Sequence, residues 1–320
     1  MRDRFQREID YIRISVTDKC NFRCRYCMPE EGVETIPHSE VLSFEEIVRV
    51  VSVLSELGIK KVKITGGEPL VRRDICTLIQ KIAQISGIED ITLTTNGFLL
   101  GEMAEQLKRA GIRTINVSVD TLNRREFADI CRRDGLDQVL DSIEKAKNLG
   151  LEIRINTTVS EESNLEELFE LLEYFVNRDI PVRFIELMPI GCGHGSRVKN
   201  QDLQKMLKKR YPDFVRSNFS GNGPAVYYTF GKNKKVGFIS AVHNKFCESC
   251  NRIRLSCDGK IKPCLASSLS YDIKAVLRSG GDDKKLKESL EQAIFYKPLE
   301  HHFGKEKSGC IKNTMNQIGG

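Results

Sequence analysis

Between residues 11 and 187 one pattern recurs: a short run in which apolar and polar positions alternate, then a longer run whose apolar residues fall on one helical stripe. The alternating runs are 11–16, 61–64, 91–95, 114–119, 152–159 and 182–187, and alternation with period two predicts strands. The striped runs are 44–57, 74–85, 99–110, 137–149 and 165–176. In the first of these Ile47, Val48, Val51, Leu54 and Leu57 share a face, and Gly58 supplies a stop. Six strands with five intervening helices predict a parallel sheet, because parallel neighbours need a crossover long enough to hold a helix. Such folds carry their sites where the strands end. An open, doubly wound sheet and a barrel both fit this α/β pattern, and the motifs described below fall at those ends, which favours a barrel or partial barrel.

The rhythm breaks after Pro189. Gly191, Gly193 and Gly195 mark a loop, 201–209 reads as a basic helix, and 225–230 with 235–241 read as a hairpin around Gly231. A second group of cysteines follows, then helices at 273–278 and 284–295. The chain is expected to divide into a barrel, residues 1–190, and an appended region, 191–320.

Composition narrows the classes. With 320 residues, 40% of them hydrophobic, the chain can fill a barrel of roughly 250 residues plus an appendage without disulfide staples. Its 50 basic and 44 acidic residues leave +6, too mild to imply nucleic acid, and no nucleic-acid partner is expected. No apolar run approaches the ~20 residues that span a bilayer, and the first ten residues carry six charges with no apolar stretch behind them. A cytoplasmic protein with no membrane partner is expected. In a reducing compartment, eleven cysteines, an odd number, read first as metal ligands.

Cys20, Cys24 and Cys27 form a C-x3-C-x2-C loop after the first strand. Three close thiolates can hold three irons of a [4Fe–4S] cube and leave the fourth open to a ligand. A zinc site is the alternative, but structural zinc usually wants four ligands in two pairs. Thr65-Gly66-Gly67-Glu68-Pro69 follows the second strand, Thr94-Thr95-Asn96-Gly97 the third and Ser118-Val119-Asp120 the fourth. Each alone is an ordinary turn or cap. Together with the cysteine loop they make a stronger signal. Met188, ending the sixth strand, reads either as core or as a contact for a flat ring. Cys247, Cys250 and Cys264 give a second set of three, C-x2-C-x13-C, with Arg252 and Arg254 directly beside it. That set could be a zinc knuckle completed by Cys257 or His243, or a second cluster with an open iron flanked by phosphate-binding arginines.

The first loop, with Tyr26 just before its last cysteine, resembles the signature of the radical S-adenosylmethionine superfamily. Across nearly its whole length the chain resembles the GTP 3′,8-cyclases of molybdenum cofactor biosynthesis. The matching parts are 12–18 running into the first cysteine loop, Thr-Gly-Gly-Glu-Pro, the segment 183–188, 246–255 with Cys264, and the terminal Gly319-Gly320.

The resemblance implies a partial (βα)6 TIM-like barrel whose open side is covered by the C-terminal region, with one [4Fe–4S] cluster at each end of a polar cavity. It implies S-adenosylmethionine as the source of a deoxyadenosyl radical that takes hydrogen from C3′ of GTP, closure onto C8 of guanine, and a product of (8S)-3′,8-cyclo-7,8-dihydroguanosine 5′-triphosphate. Cys20, Cys24 and Cys27 would hold the first cluster, and Tyr26, Gly67, Ser118 and Met188 would line the S-adenosylmethionine site. Cys247, Cys250 and Cys264 would hold the second. Arg13, Thr94, Arg252 and Arg254 would contact GTP, with Ile253 lending backbone. Lys63 and Arg154 depart from the pattern by exchanging the arginine and lysine of those positions, which keeps the charge but not the bidentate geometry. Lys61 is a further cation counted toward the triphosphate. No side-chain base is assigned, because a radical removes the hydrogen. The implied enzyme class is a lyase, and the implied partners are GTP, a reductant protein and a downstream cyclic pyranopterin monophosphate synthase, with room for a homodimer. Two rivals remain: a radical enzyme that modifies peptides, and a zinc-stapled module that grips RNA.

Overall fold

In the computed structural model, which describes residues 1–193, 195, 198–219, 221–301, 303 and 315, the six predicted strands lie side by side in chain order and run parallel. They are β1 (Tyr11–Ser15), β2 (Lys61–Thr65), β3 (Asp90–Thr95), β4 (Thr114–Ser118), β5 (Glu152–Val159) and β6 (Val182–Glu186). The crossovers hold α1 (Phe44–Glu56), α2 (Ile75–Ala83), α3 (Leu100–Arg109), α4 (Arg124–Cys131), α5 (Leu136–Asn148) and α6 (Leu165–Val176). Helix α1 starts at a reciprocal cap: Ser43 Oγ accepts from the Glu46 N–H at 3.1 Å, and Glu46 accepts from the Ser43 N–H at 2.7 Å. Helix α4 departs from the sequence expectation. It buries only Phe127 and Cys131, one turn apart, too narrow a stripe to register as periodic.

The strands alternate in an inverted sense. Ile12, Ile14, Val62, Ile64, Leu93, Ile115, Val117 and Ile155 are buried under the helices, each contributing about 1.5–3 kcal/mol of apolar burial. The intervening positions are Arg13, Lys63, Thr92, Asn116, Arg154 and Arg183. The sheet therefore carries an apolar outer face and a polar inner one.

Residues after 190 add strands to both free edges. Following α7 (Asn200–Arg210) and β7 (Val215–Arg216), a hairpin of β8 (Val226–Phe230) and β9 (Lys234–Ile239) docks with β9 parallel to β6. On the opposite margin β10 (Arg252–Leu255) pairs parallel with β1, and β11 (Lys260–Lys262) and β12 (Tyr271–Asp272) follow antiparallel. Helices α8 (Ile273–Arg278) and α9 (Asp283–Phe295) follow. The result is one twelve-stranded sheet, β12-β11-β10-β1-β2-β3-β4-β5-β6-β9-β8-β7, a partial (βα)6 barrel extended at each side. Among the described residues no helix is long and apolar enough to cross a membrane.

Candidate active site

The first cysteine loop is anchored by its own aromatic residue. Phe22 is buried edge-on between Phe98 and Phe127, with ring centroids at 5.7 and 5.9 Å. The end of α4 grips the loop backbone: the Arg23 N–H donates to the Cys131 carbonyl at 3.0 Å and the Arg25 N–H to the Ile130 carbonyl at 2.9 Å. With the apolar residue turned inward, Cys20, Cys24 and Cys27 are left partly exposed on the rim beyond β1. Burial pushes the Cys20 thiol up to about 12. The neighbouring Cys131 thiol, then burial, raises Cys24 as well.

The Gly-Gly-Glu-Pro turn meets this loop directly. A Cβ on Gly67 would lie 2.4 Å from the Lys19 carbonyl oxygen, and one on Gly66 2.7 Å from that of Thr17. The glycines thus admit the backbone that leads into the cysteines, and Gly67 and Glu68 donate to it at 2.7 and 2.8 Å. Glu68 is a buried brace. Its carboxylate accepts from Thr95 Oγ1 at 2.7 Å, the Asn96 N–H at 2.7 Å and the Leu70 N–H at 3.0 Å, while burial lifts it to about 7. Asn96 continues to Asn21 at 2.8 Å, so three strand ends form one network. The Tyr26 hydroxyl donates to Asp120 at 2.7 Å, and Asp120 also accepts from the Thr158 N–H at 2.6 Å. Gly67, Ser118 and Met188 follow or end β2, β4 and β6, on the same rim as the cysteine loop.

Below that rim the inner face is crowded with cations. Arg13 stands beside Arg254 on one side and Lys63 on the other. Burial, then the surrounding arginines Arg13, Arg183, Arg154 and Arg252, hold Lys63 well below its usual range. Burial likewise lowers Arg13, Arg183 and Arg254, with neighbouring cations adding to it. Lys63, Arg154 and Arg183 line one pocket with Thr92, Asn116 and Tyr227. Gly237, opposite Arg183 in the register, makes room there: a Cβ on it would sit 2.9 Å from Arg183 Cγ and 3.0 Å from the Tyr227 ring. Thr94, half-buried, is in register with Asn116. Ile253 is fully buried in the outer core, so its side chain faces away from this cavity. Lys61 differs from expectation. Asp10 takes its ammonium at 2.7 Å and also binds Asn251 at 2.6 Å, which ties Lys61 to the start of the sheet. Arg183, Asn116 and Tyr227 were not among the sequence candidates. The signal for Arg183 was present, since it alternates in the same phase as Arg154 on the adjacent strand.

The second cysteine group lies at the other end of the sheet. Cys247 and Cys250 precede β10, whose first residue Arg252 is level with Tyr11, the first of β1; the first cysteines come after β1 has ended. Cys264 follows β11. Burial alone would push the Cys250 thiol up, but Arg252 and Lys297 bring it down to about 6, and Arg252 Nη2 stands 3.6 Å from its sulfur. A thiolate at neutral pH is the form that binds metal. The two residues proposed to complete a zinc site are engaged elsewhere. Cys257 is buried beyond the far end of β10, beside Ser15, and His243 Nδ1 pairs with Glu186 at 3.3 Å. Among the described residues no three of His, Cys, Asp or Glu converge on a single ion position. A cubane asks something different, one thiolate per iron corner. Gly319-Gly320, Cys310 and His194 lie outside the described residues.

Two family patterns match the chain: the Radical SAM superfamily over residues 14–175 and Molybdenum Cofactor Synthesis C over residues 180–303. A GTP 3′,8-cyclase of Desulforamulus reducens is 43% identical over 327 residues, covering both chains completely. One of Clostridium perfringens is 42% identical over 323 residues, again with full coverage of both. Among solved structures, Streptococcus suis SuiB bound to S-adenosylmethionine aligns with a TM-score of 0.64 at 16% identity, over 97% of this chain and 72% of that one. Native anSMEcpe with bound AdoMet aligns with a TM-score of 0.61 at 17% identity, over 96% and 87%. At those identities the structural likeness speaks for the fold.

Proposed function

The chain belongs to the GTP 3′,8-cyclase family of radical S-adenosylmethionine enzymes, and from that membership we propose that it converts GTP to (8S)-3′,8-cyclo-7,8-dihydroguanosine 5′-triphosphate, the first step toward molybdenum cofactor. The observation that carries this reading is the enclosed run of cations, Arg13, Lys63, Arg154, Arg183, Arg252 and Arg254, between two sets of three cysteines at opposite ends of the sheet. Like charges held this close in a sheltered lumen await a polyanion, and a triphosphate has the matching charge.

Cys20, Cys24 and Cys27 are the residues to hold a [4Fe–4S] cluster, with S-adenosylmethionine set among Tyr26, Gly67, Ser118 and Met188. When bound, these groups supply the one-electron chemistry that removes hydrogen from C3′ of the nucleotide. The protein's own contribution is positional. Asp120 fixes the Tyr26 hydroxyl, Glu68 locks the rim loops together, and the lumen cations hold the triphosphate away from water. Cys247, Cys250 and Cys264 are the residues for a second [4Fe–4S] cluster, supported by the Cys250 thiol already lying near 6. Thr94 and the Ile253 backbone complete the nucleotide contacts. The lyase class, the division near residue 190, a reductant protein, a downstream cyclic pyranopterin monophosphate synthase, a homodimer and a cytoplasmic setting belong to the same reading.

Replacing Arg252 and Arg254 together with alanine should weaken GTP binding roughly 100-fold or more, at about 1.5–3 kcal/mol per charged contact. Uncoupled cleavage of S-adenosylmethionine should persist. If calorimetry finds GTP affinity unchanged, the triphosphate does not sit against β10.

A further inference from the structure

One buried cation is used neither by the lumen nor by the rim. Lys297 follows α9 and is 2% exposed, yet among the described residues its ammonium reaches only backbone carbonyls in hydrogen-bond range: Arg252 at 2.8 Å and Pro263 at 2.6 Å. Those residues come two after Cys250 and one before Cys264. The charge acts on both thiols, and Arg7 and Arg252, themselves cations, act against it. The segment 297–301 continues as a strap over the same cysteines. Arg7, held by Asp3 at 2.6 Å, donates to the Pro298 carbonyl at 2.7 Å, the Leu299 carbonyl at 2.9 Å and the Cys247 carbonyl at 2.8 Å. The His301 N–H points to the Cys247 thiol, and Lys245 takes the His301 carbonyl at 2.9 Å. All three cysteines are thus tied to one short stretch of chain.

For stability alone this is a poor arrangement. With no carboxylate beside it among the described residues, and one Cys250 thiolate shared with Arg252, an ammonium taken out of water costs more than a methionine of similar length in the same slot. The cost makes sense if the site becomes negative when filled, as three thiolates around an iron–sulfur group are. We propose that Lys297 is a positioning residue for the second cysteine group, holding the Arg252 and Pro263 carbonyls so that Cys250 and Cys264 face one cluster, and that its charge sets that cluster's reduction potential. The inference rests on the reading that Cys247, Cys250 and Cys264 bind a [4Fe–4S] cluster. Reduction adds one electron to that cluster, and a fixed cation beside it favours the added charge, which raises the potential.

The test uses the full chain with Cys20, Cys24 and Cys27 replaced by alanine, so that only the second group can bind iron. Iron content is measured after anaerobic reconstitution, and the midpoint potential by dithionite titration followed by electron paramagnetic resonance. Lys297→Met should keep its iron but shift the reduction equilibrium at least tenfold toward the oxidised form, 59 mV more negative for one electron. Lys297→Arg should return most of that shift. If the methionine variant fails to hold iron, the arginine variant must hold it. An unchanged potential in Lys297→Met, or equal loss of iron from both variants, overturns the proposal. A protein with native Lys297 that binds no iron would instead remove the second-cluster reading itself.

Discussion

The two cysteine groups have the same number of thiols and opposite surroundings. Around Cys20, Cys24 and Cys27 the chain supplies an aromatic anchor, Phe22, and the Cys131 thiol, the guanidiniums of Arg23, Arg132 and Arg133 are turned onto the loop's own carbonyls, and burial leaves Cys20 near 12. Around Cys247, Cys250 and Cys264 it supplies Arg252, Lys297 and Arg7, and Cys250 falls to about 6 while burial keeps Cys247 raised. The contrast matches what each end is proposed to serve. S-adenosylmethionine carries a sulfonium, which suits a loop whose arginines are spent on backbone carbonyls, whereas a triphosphate needs cations that face it. One residue type is thus turned to two tasks by its neighbours.

The largest expected effect separates the groups by activity. Cys24→Ala should abolish both deoxyadenosine release and nucleotide cyclisation. Cys250→Ala should lose cyclisation to background while retaining deoxyadenosine release. Product analysis by chromatography reads both at once. Loss of deoxyadenosine release in both variants would mean that the two ends do not work separately.

A smaller effect tests the environments without any metal. In the apoprotein at pH 7, Cys250 at about 6 is mostly thiolate, while Cys20 at about 12 is almost wholly thiol. The less basic thiolate is also the weaker nucleophile, which offsets part of the difference. Cys250 should still be alkylated on the order of 100-fold faster or more. Peptide mass spectrometry over a time course with iodoacetamide checks this, and equal rates would erase the contrast.

Much of this was legible in the sequence because period-two and helical patterns are strong over long elements. Strand β5 and helix α6 have the bounds that alternation and striping predict. What escaped was short or depended on distant partners. Strand β10 is only Arg-Ile-Arg-Leu, and it becomes a strand by pairing with β1, some 240 residues earlier. The cysteine motifs could be read from spacing, but Glu68 as a brace across three turns could not, since Thr95 and Asn96 come from another strand. Lys61 and Lys63 look alike on paper. They separate only because Asp10, on the adjoining strand's approach, captures the first. Lys297 had no local signal, for its partners are carbonyls beside Cys250 and Cys264.

That difference between Lys61 and Lys63 sets the smallest prediction. Lys63 is crowded by Arg13, Arg183, Arg154 and Arg252, so in the apoprotein its charge works against folding. Lys63→Met should stabilise the apoprotein by roughly 1 kcal/mol, the usual scale for relieving a functional strain. The sign with pH follows from the depressed lysine. Between its folded value and about 10.4 the unfolded chain holds the proton that the folded chain has released, so stability rises with pH through that window. The methionine variant should lose this part of the rise. Inorganic triphosphate supplies the second reading: it should raise the wild-type melting temperature and raise that of Lys63→Met less. A variant that melts lower than wild type at pH 7, or gains as much from triphosphate, would show that the lumen cations are already balanced without a bound anion.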